Sequence, residues 1–138
     1  MHTAIEFHDS VLAAIDVTPD GVVVRLAPAY VHRADDRPEV DAGTGWSQNV
    51  ELRLLAGVVV GAVPPLPCDL DDGELHAETL FRNIVPLPYS SSHAVRLVLR
   101  TMRGETVEAT GNALEVRALG AARYVEEVPF RVRVDGDR

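Results

Sequence analysis

The sequence predicts an all-β protein, an antiparallel sandwich or flattened barrel of about nine or ten short strands. Apolar residues occupy every second position over residues 50–54, 95–99 and 114–116, with charged residues at most of the positions between them, which is the period of a strand with one buried and one solvated face. Turn-forming residues recur between such segments. The longest apolar run centres on three consecutive valines, 58–60, and β-branched residues favour strands over helices.

The N-terminal part predicts a strand, a turn and a hairpin. Residues 3–7 form the first predicted strand, and His8-Asp9-Ser10 a kink or short turn. Alternation resumes over residues 11–17. Thr18-Pro19-Asp20-Gly21 is typical of a hairpin connection, because Pro presets φ and Gly supplies positive φ. Residues 22–26 are the predicted return strand.

The middle of the chain predicts a loop followed by a central hairpin. Residues 30–32 are interpreted as a short edge segment, and the polar residues 33–44 as a long loop. Residues 45–63 are expected to form a central hairpin or bulged strand. Trp46, the only Trp, is expected to close one end of the core.

The last half predicts further strands joined by turns. Asp71-Asp72-Gly73 and the glycines at 104, 111 and 120 are interpreted as turns. The final strand is expected over residues 130–134. Apolar strand positions then give the predicted core: Val24, Trp46, Leu52, Leu54, Leu97, Leu99, Leu114, Val116 and Phe130.

Composition excludes several classes of function. A single domain, residues 1–138, is expected. One Cys, Cys68, leaves no disulfide framework and favours a reducing compartment. With no signal-like N-terminus and no apolar run near ~20 residues, we expect a cytoplasmic protein without membrane partners. The net charge of −8 disfavours nucleic acid as a partner, and the absence of Lys removes lysine-based catalysis.

His8, Asp9 and Ser10 contain the residue types of a hydrolytic triad. Three consecutive residues cannot adopt its geometry, so hydrogen bonding that shapes a turn is the preferred interpretation. As binding residues we nominate His8, Asp9, Ser10, Tyr30, His32 and Trp46.

Phe7-His8-Asp9-Ser10, together with Trp46 and Pro86-Leu87-Pro88, resembles the opening of small uncharacterised bacterial all-β families. Some of these are similar to toxin-immunity proteins. The resemblance implies a non-catalytic binding domain, and it carries no catalytic residue over to this chain.

His76 and Glu78 provide the alternative. They are two residues apart, so on one strand they would share a face and could reach one metal ion. The arginines at 96, 100, 117, 131 and 133 are expected to pair across strands, with Glu108 and Glu115 as partners.

These observations favour a non-enzymatic binding or interaction domain without a cofactor. Its expected partner is a protein or a second copy of itself in a homodimer, with residues 128–134 or the central hairpin in the interface. The alternative is a small metal-dependent enzyme or metal-binding β-barrel that uses His76 and Glu78.

Overall fold

The computed structural model describes residues 2–38 and 41–129, which form twelve strands and no helix. Every strand pair among them is antiparallel. The strands are β1 (His2–Glu6), β2 (Val11–Thr18), β3 (Gly21–Ala34), β4 (Gly43–Leu55), β5 (Val58–Val60), β6 (Cys68–His76), β7 (Leu80–Arg82), β8 (Ile84–Pro86), β9 (Tyr89–Ser91), β10 (Val95–Thr101), β11 (Thr106–Gly111) and β12 (Ala113–Val128).

The strands form one hydrogen-bonded sheet in the order β5-β11-β10-β6-β2-β3-β4-β12-β9. Outside this path, β1 pairs with β3 and β8, and β7 pairs with β6. Leu97 and Val107 from β10 and β11 nevertheless share one core with Val24 and Leu52 from β3 and β4. Strands distant in the sheet can pack together only if the sheet folds back on itself. The predicted all-β sandwich or flattened barrel is therefore confirmed.

Seven residues of the predicted core are buried as expected, and an eighth, Trp46, is only partly buried. Seven residues are almost fully buried: Val24, Leu52, Leu54, Leu97, Leu99, Leu114 and Val116. Trp46 is half-buried and packs against the edge of this core. Phe130 and the predicted strand at residues 130–134 lie outside the described residues.

Strands β3, β4 and β12 are longer than predicted, and the loop predicted over residues 33–44 is shorter. β3 runs on through residues 30–32, which pair with both β1 and β4, so the edge assignment for this segment is wrong. Arg33 belongs to β3 and Thr44 to β4. Pro28 does not end β3, because the pairing with β4 shifts between Leu26 and Ala29 and a bulge leaves an N–H unpaired.

The predicted central hairpin is wrong. Ala56 has a positive φ of 51°, and the chain leaves β4 there, so that β5 pairs with β11 instead. Gly73 is also not a turn, since it lies within β6. A Cβ at this position would come within 2.8 Å of the Leu99 and Phe7 side chains. Close packing, rather than a reversal of the chain, thus explains the glycine.

Candidate functional site

The predicted binding residues occupy two places in the fold. His8, Asp9 and Ser10 lie in the connection between β1 and β2. Tyr30, His32 and Trp46 lie at the far end of β3 and β4, together with the last part of β12. We call this second region the ribbon end and define it as residues 29–34, 43–48 and 123–128.

Ser10 holds the fold together. Its buried hydroxyl donates to the Glu6 carbonyl oxygen at 2.6 Å and accepts from the Tyr30 backbone N–H at 2.9 Å. These two bonds connect the first turn to β3. The interpretation of Ser10 as a turn-shaping residue is supported, because both bonds are to backbone groups.

His8 and Asp9 are exposed beside this turn. His8 Nδ1 donates to the Asp71 carbonyl oxygen at 2.8 Å, and His8 Nε2 lies 3.5 Å from Asp9 Oδ1. The hydrogen bond to Asp71 raises the pKa of His8; partial burial opposes it, while the Asp9, Glu6 and Asp71 charges add to it. His8 therefore binds the backbone of β6, and its imidazole does not bind Ser10.

At the ribbon end, strand register aligns two rows of residues across three strands. Val31 of β3 lies opposite Trp46 of β4, which lies opposite Tyr124 of β12. The next row is Arg33, Thr44 and Glu127. Residues directly opposite one another share a face of the sheet, as do residues two apart on one strand. Both rows therefore lie on one face, with Arg33 on the β3 side and Glu127 on the β12 side.

The side chains of these rows pack around Trp46. The Arg33 guanidinium carbon lies 4.2 Å from the centroid of the indole. Tyr124 meets the indole edge to face, with centroids 5.6 Å apart and an interplanar angle of 83°. Trp46 Nε1 donates to Thr44 Oγ1 at 2.7 Å. We call Arg33, Thr44, Trp46, Tyr124 and Glu127 the aromatic surface.

The aromatic surface remains open to solvent. The exposed fraction of Tyr124 is 53%. Glu127 is exposed, and Trp46 and Arg33 are half-buried. A cleft of about 520 Å³ lies alongside and is lined by Arg33, Asp35, Thr44 and Glu127 among others. The surface is thus accessible to a partner.

Arg33 of the aromatic surface has no ion-pair partner among the described residues, a property it shares with Arg103 and Arg123. Tyr124 Oη donates to Glu127 Oε2 at 2.8 Å, and this bond raises the pKa of Tyr124, with burial and the charges of Glu127 and Glu126 adding to it.

The opposite face of the ribbon end carries Tyr30 and His32. Tyr30 Oη donates to Glu126 Oε2 at 2.8 Å. The Tyr30 ring covers Gly45, where a Cβ would clash with Tyr30 Oη. His32 is buried on the same face. Tyr30 and His32 therefore do not form one site with Trp46, although all three belong to the ribbon end.

Three of the five arginines form the predicted kind of cross-strand pair, and one of the three does so with a predicted partner. Arg96 bonds Glu108 at 2.8 Å and Arg100 bonds Asp72 at 3.0 Å. Arg117 bonds Glu51 at 2.6 Å, rather than the predicted Glu115. Arg131 and Arg133 lie outside the described residues. The sheet faces at these positions are occupied by ordinary cross-strand ion pairs.

His76 and Glu78 do not share a strand face, so the argument for a common metal ion is wrong. β6 ends at His76, and Glu78 lies in the bend that follows, where the Ala77 N–H bonds the Thr79 carbonyl. His76 Nε2 lies 3.0 Å from Glu74 Oε1, and Ser91 Oγ donates to Glu78 at 3.4 Å. Among residues 2–38 and 41–129, no three His, Cys, Asp or Glu side chains group to hold a metal.

Sequence reasoning missed Arg33, Tyr124 and Glu127. The polar residues 33–44 predict a loop at Arg33, and Gly120 predicts a turn before Tyr124, whereas both positions lie within strands. The signal was the spacing Thr44-Gly45-Trp46, which continues the alternation of β4 towards its N-terminus.

Comparisons with protein-family models, with curated proteins and with solved structures found no match to this chain. The resemblance of Phe7-His8-Asp9-Ser10 to immunity-like families therefore stays a prediction. In the described ranges, no helix has the length and apolar character of a membrane span.

Proposed function

We propose that this chain is a non-enzymatic interaction domain that binds a protein partner through its aromatic surface. The observation that carries the proposal is the half-exposed stack of Arg33, Trp46 and Tyr124. This stack holds the only Trp of the chain and one of its three Tyr.

The residue types support a protein partner. Trp, Tyr and Arg are the side chains that most often contribute the largest share of binding energy in protein interfaces. They do so because they bury a large apolar area and still offer a polar group for hydrogen bonding. Here all three types meet within one accessible patch.

The rigidity of the patch also supports binding. The indole of Trp46 is held by Thr44 and by the core beneath it, and its contacts with Arg33 and Tyr124 fix both of those side chains. Side chains that are already ordered lose little entropy when a partner binds. The same side chains on a flexible loop would lose more entropy on binding.

The charge of Arg33 indicates which chemical group the partner offers. Arg96, Arg100 and Arg117 each have a carboxylate partner within the chain. Arg33 has none among the described residues, and its planar guanidinium suits bidentate binding of a carboxylate. An acidic group on the partner would satisfy it.

We place this activity in the cytoplasm, with no membrane and no nucleic acid involved. Cys68 is a free thiol, which suits a reducing compartment. The net charge of −8 opposes attraction to a phosphate backbone.

A random peptide library displayed on phage and selected on the immobilised protein tests the proposal. We expect the enriched peptides to lose about 30-fold or more in affinity for Trp46→Ala and Tyr124→Ala variants, as hot-spot truncation does. Val17→Ala is the matched control, because Val17 is 74% exposed and lies on β2, away from the surface.

Peptides that bind Trp46→Ala and Tyr124→Ala as tightly as the parent would overturn the proposal, as would a selection that enriches none. Circular dichroism of each variant checks that the fold persists. Tyr124→Ala is the more informative variant, because Tyr124 lies outside the core.

A further inference from the structure

We propose that the partner of the aromatic surface is a second copy of this chain. The two copies pack aromatic surface against aromatic surface, about a two-fold axis that runs parallel to β4. This inference rests on the proposed function and adds the identity of the partner and the geometry of the complex.

The charge pattern of the aromatic surface carries the argument. Arg33, Thr44 and Glu127 form one row across β3, β4 and β12. The row is positive on the β3 side, neutral in the middle and negative on the β12 side. Strands lie about 4.8 Å apart, so the backbone positions of Arg33 and Glu127 are separated by roughly two strand spacings, while the Arg33 guanidinium reaches over Trp46.

A two-fold dimer uses the same patch on both copies, so the patch must be complementary to itself. Rotation about an axis parallel to β4 exchanges the β3 and β12 sides but keeps each residue at its height along the strands. Arg33 then faces Glu127 of the partner subunit, and Glu127 faces the partner subunit's Arg33. Near the axis, Trp46 faces Trp46 of the partner subunit.

The side chains have the capacity for these new bonds. Arg33 forms no ion pair with the described carboxylates and offers five N–H donors. Glu127 accepts the Tyr124 hydroxyl at Oε2, and a carboxylate has further lone pairs on both oxygens. The stack on Trp46 would also be shielded from water, which strengthens a cation–π contact.

Strand addition is the competing way for two copies to associate. Along β12, the pairing with β4 shifts between Leu119 and Arg123 and again between Tyr124 and Glu126. Such bulges interrupt the regular ladder that a further strand would need. On β5, Val58 and Val60 are exposed, but this short edge has no charge pattern that selects a partner. Face packing of the aromatic surface is therefore the better supported mode.

Charge exchange tests the geometry. Sedimentation equilibrium is measured for the parent, for Arg33→Glu, for Glu127→Arg and for an equimolar mixture of the two variants. We expect the parent to dimerise. Each variant alone should weaken dimerisation by about tenfold or more, because each places two like-charge pairs in the interface. The mixture should recover a heterodimer, since both of its charge pairs are then opposite in sign.

Arg103→Glu is the control, because it makes the same charge change at an exposed turn outside the surface. It should dimerise like the parent. Thermal unfolding of every variant confirms that each is folded.

A parent that stays monomeric at all concentrations overturns the inference of a second copy, while the peptide selection still tests the proposed function separately. A parent dimer that both variants retain places the interface elsewhere and also overturns it. Variants that are monomeric alone and remain so in the mixture overturn the two-fold geometry.

Discussion

The two halves of the same three strands, β3, β4 and β12, differ sharply in how their side chains are used. The body half consists of residues 21–26, 50–55 and 113–119, and the ribbon end continues it with residues 29–34, 43–48 and 123–128. The three strands stay paired in both halves, although β12 shifts register against β4 between the halves and again within the ribbon end. What differs is whether the side chains are buried, paired with one another or exposed to solvent.

In the body half, the side chains of both faces are either buried in the core or paired with other side chains of the chain. On the inner face, Leu52 and Val116 are fully buried in the core. On the outer face, Glu51 has a side chain that is 4% exposed, and it accepts from Arg117 at 2.6 Å and from Arg53 at 3.2 Å. Burial raises the pKa of Glu51, but the hydrogen bonds from Arg117 and Arg53 outweigh it and hold that pKa below its ordinary value.

In the ribbon end, Ala29 and Val31 of the inner face still belong to the core, and beyond them this face is partly exposed to solvent. Arg33 stacks on Trp46 without a carboxylate partner among the described residues, and Tyr124 is largely exposed. The same three paired strands thus support stability in one half and an accessible contact surface in the other.

The largest expected difference between the halves is in core truncation. Leu52→Ala should lower the free energy of unfolding by about 2–5 kcal/mol, because it leaves a cavity in a fully buried site. Tyr124→Ala should have a several-fold smaller effect, because Tyr124 contacts mainly the rim of the fold. Urea denaturation of both variants measures this. Equal shifts in the midpoint would contradict the distinction between the halves.

The next effect concerns Glu51. Glu51→Gln should lower the free energy of unfolding by about 1–2 kcal/mol at neutral pH, because two charge-assisted hydrogen bonds become neutral ones. The folded pKa lies below the ordinary 4.5, so this contribution is present above that value and is lost as the pH falls through the folded pKa.

Acid titration of stability provides the measurement for Glu51. The difference between parent and Glu51→Gln should shrink as the pH drops below 4.5. Glu108→Gln is the matched control, since Glu108 also accepts from an arginine but lies where water screens the pair. A difference that is constant with pH would show that the Glu51 charge plays no part.

The smallest expected effect concerns His8, which lies outside both halves and contributes its own pH dependence to the stability of the protein. The pKa of His8 is raised above 6.5 by its bond to Asp71. The stabilisation by protonated His8 is therefore complete below 6.5 and is lost as the pH rises through the folded pKa. His8→Gln should flatten the pH dependence of stability near neutrality, as followed by thermal unfolding. If the slope of stability against pH stays unchanged in His8→Gln, the pH dependence near neutrality comes from another group and the prediction is wrong.

The parts of this structure that the sequence predicts are those set by local patterns. Leu52 and Leu54 alternate with polar residues, Leu97 and Leu99 continue a pattern of apolar residues at every second position, and the turn at Thr18 to Gly21 depends on Pro and Gly chemistry alone. Each signal lies within a few neighbouring residues. Such signals report burial and turn formation directly.

The aromatic surface could not be predicted in the same way. Arg33, Trp46 and Tyr124 come from three separate strands, and only the register of β3, β4 and β12 brings them together. Arg33 and Thr44 lie in a polar stretch that predicts a loop, because a partly exposed strand face needs no apolar alternation. Gly73 predicts a turn, because its packing against Phe7 and Leu99 leaves no signal in the neighbouring sequence.

The most direct test of the ribbon end as a contact surface uses the fluorescence of Trp46, the only Trp in the chain. The protein is diluted from high micromolar to nanomolar concentration while emission and sedimentation are followed together. We expect the emission maximum to shift to longer wavelength as dimers dissociate and Trp46 becomes hydrated, and Arg33→Glu to show the hydrated spectrum throughout. Dissociation without any change in Trp46 emission would contradict the account.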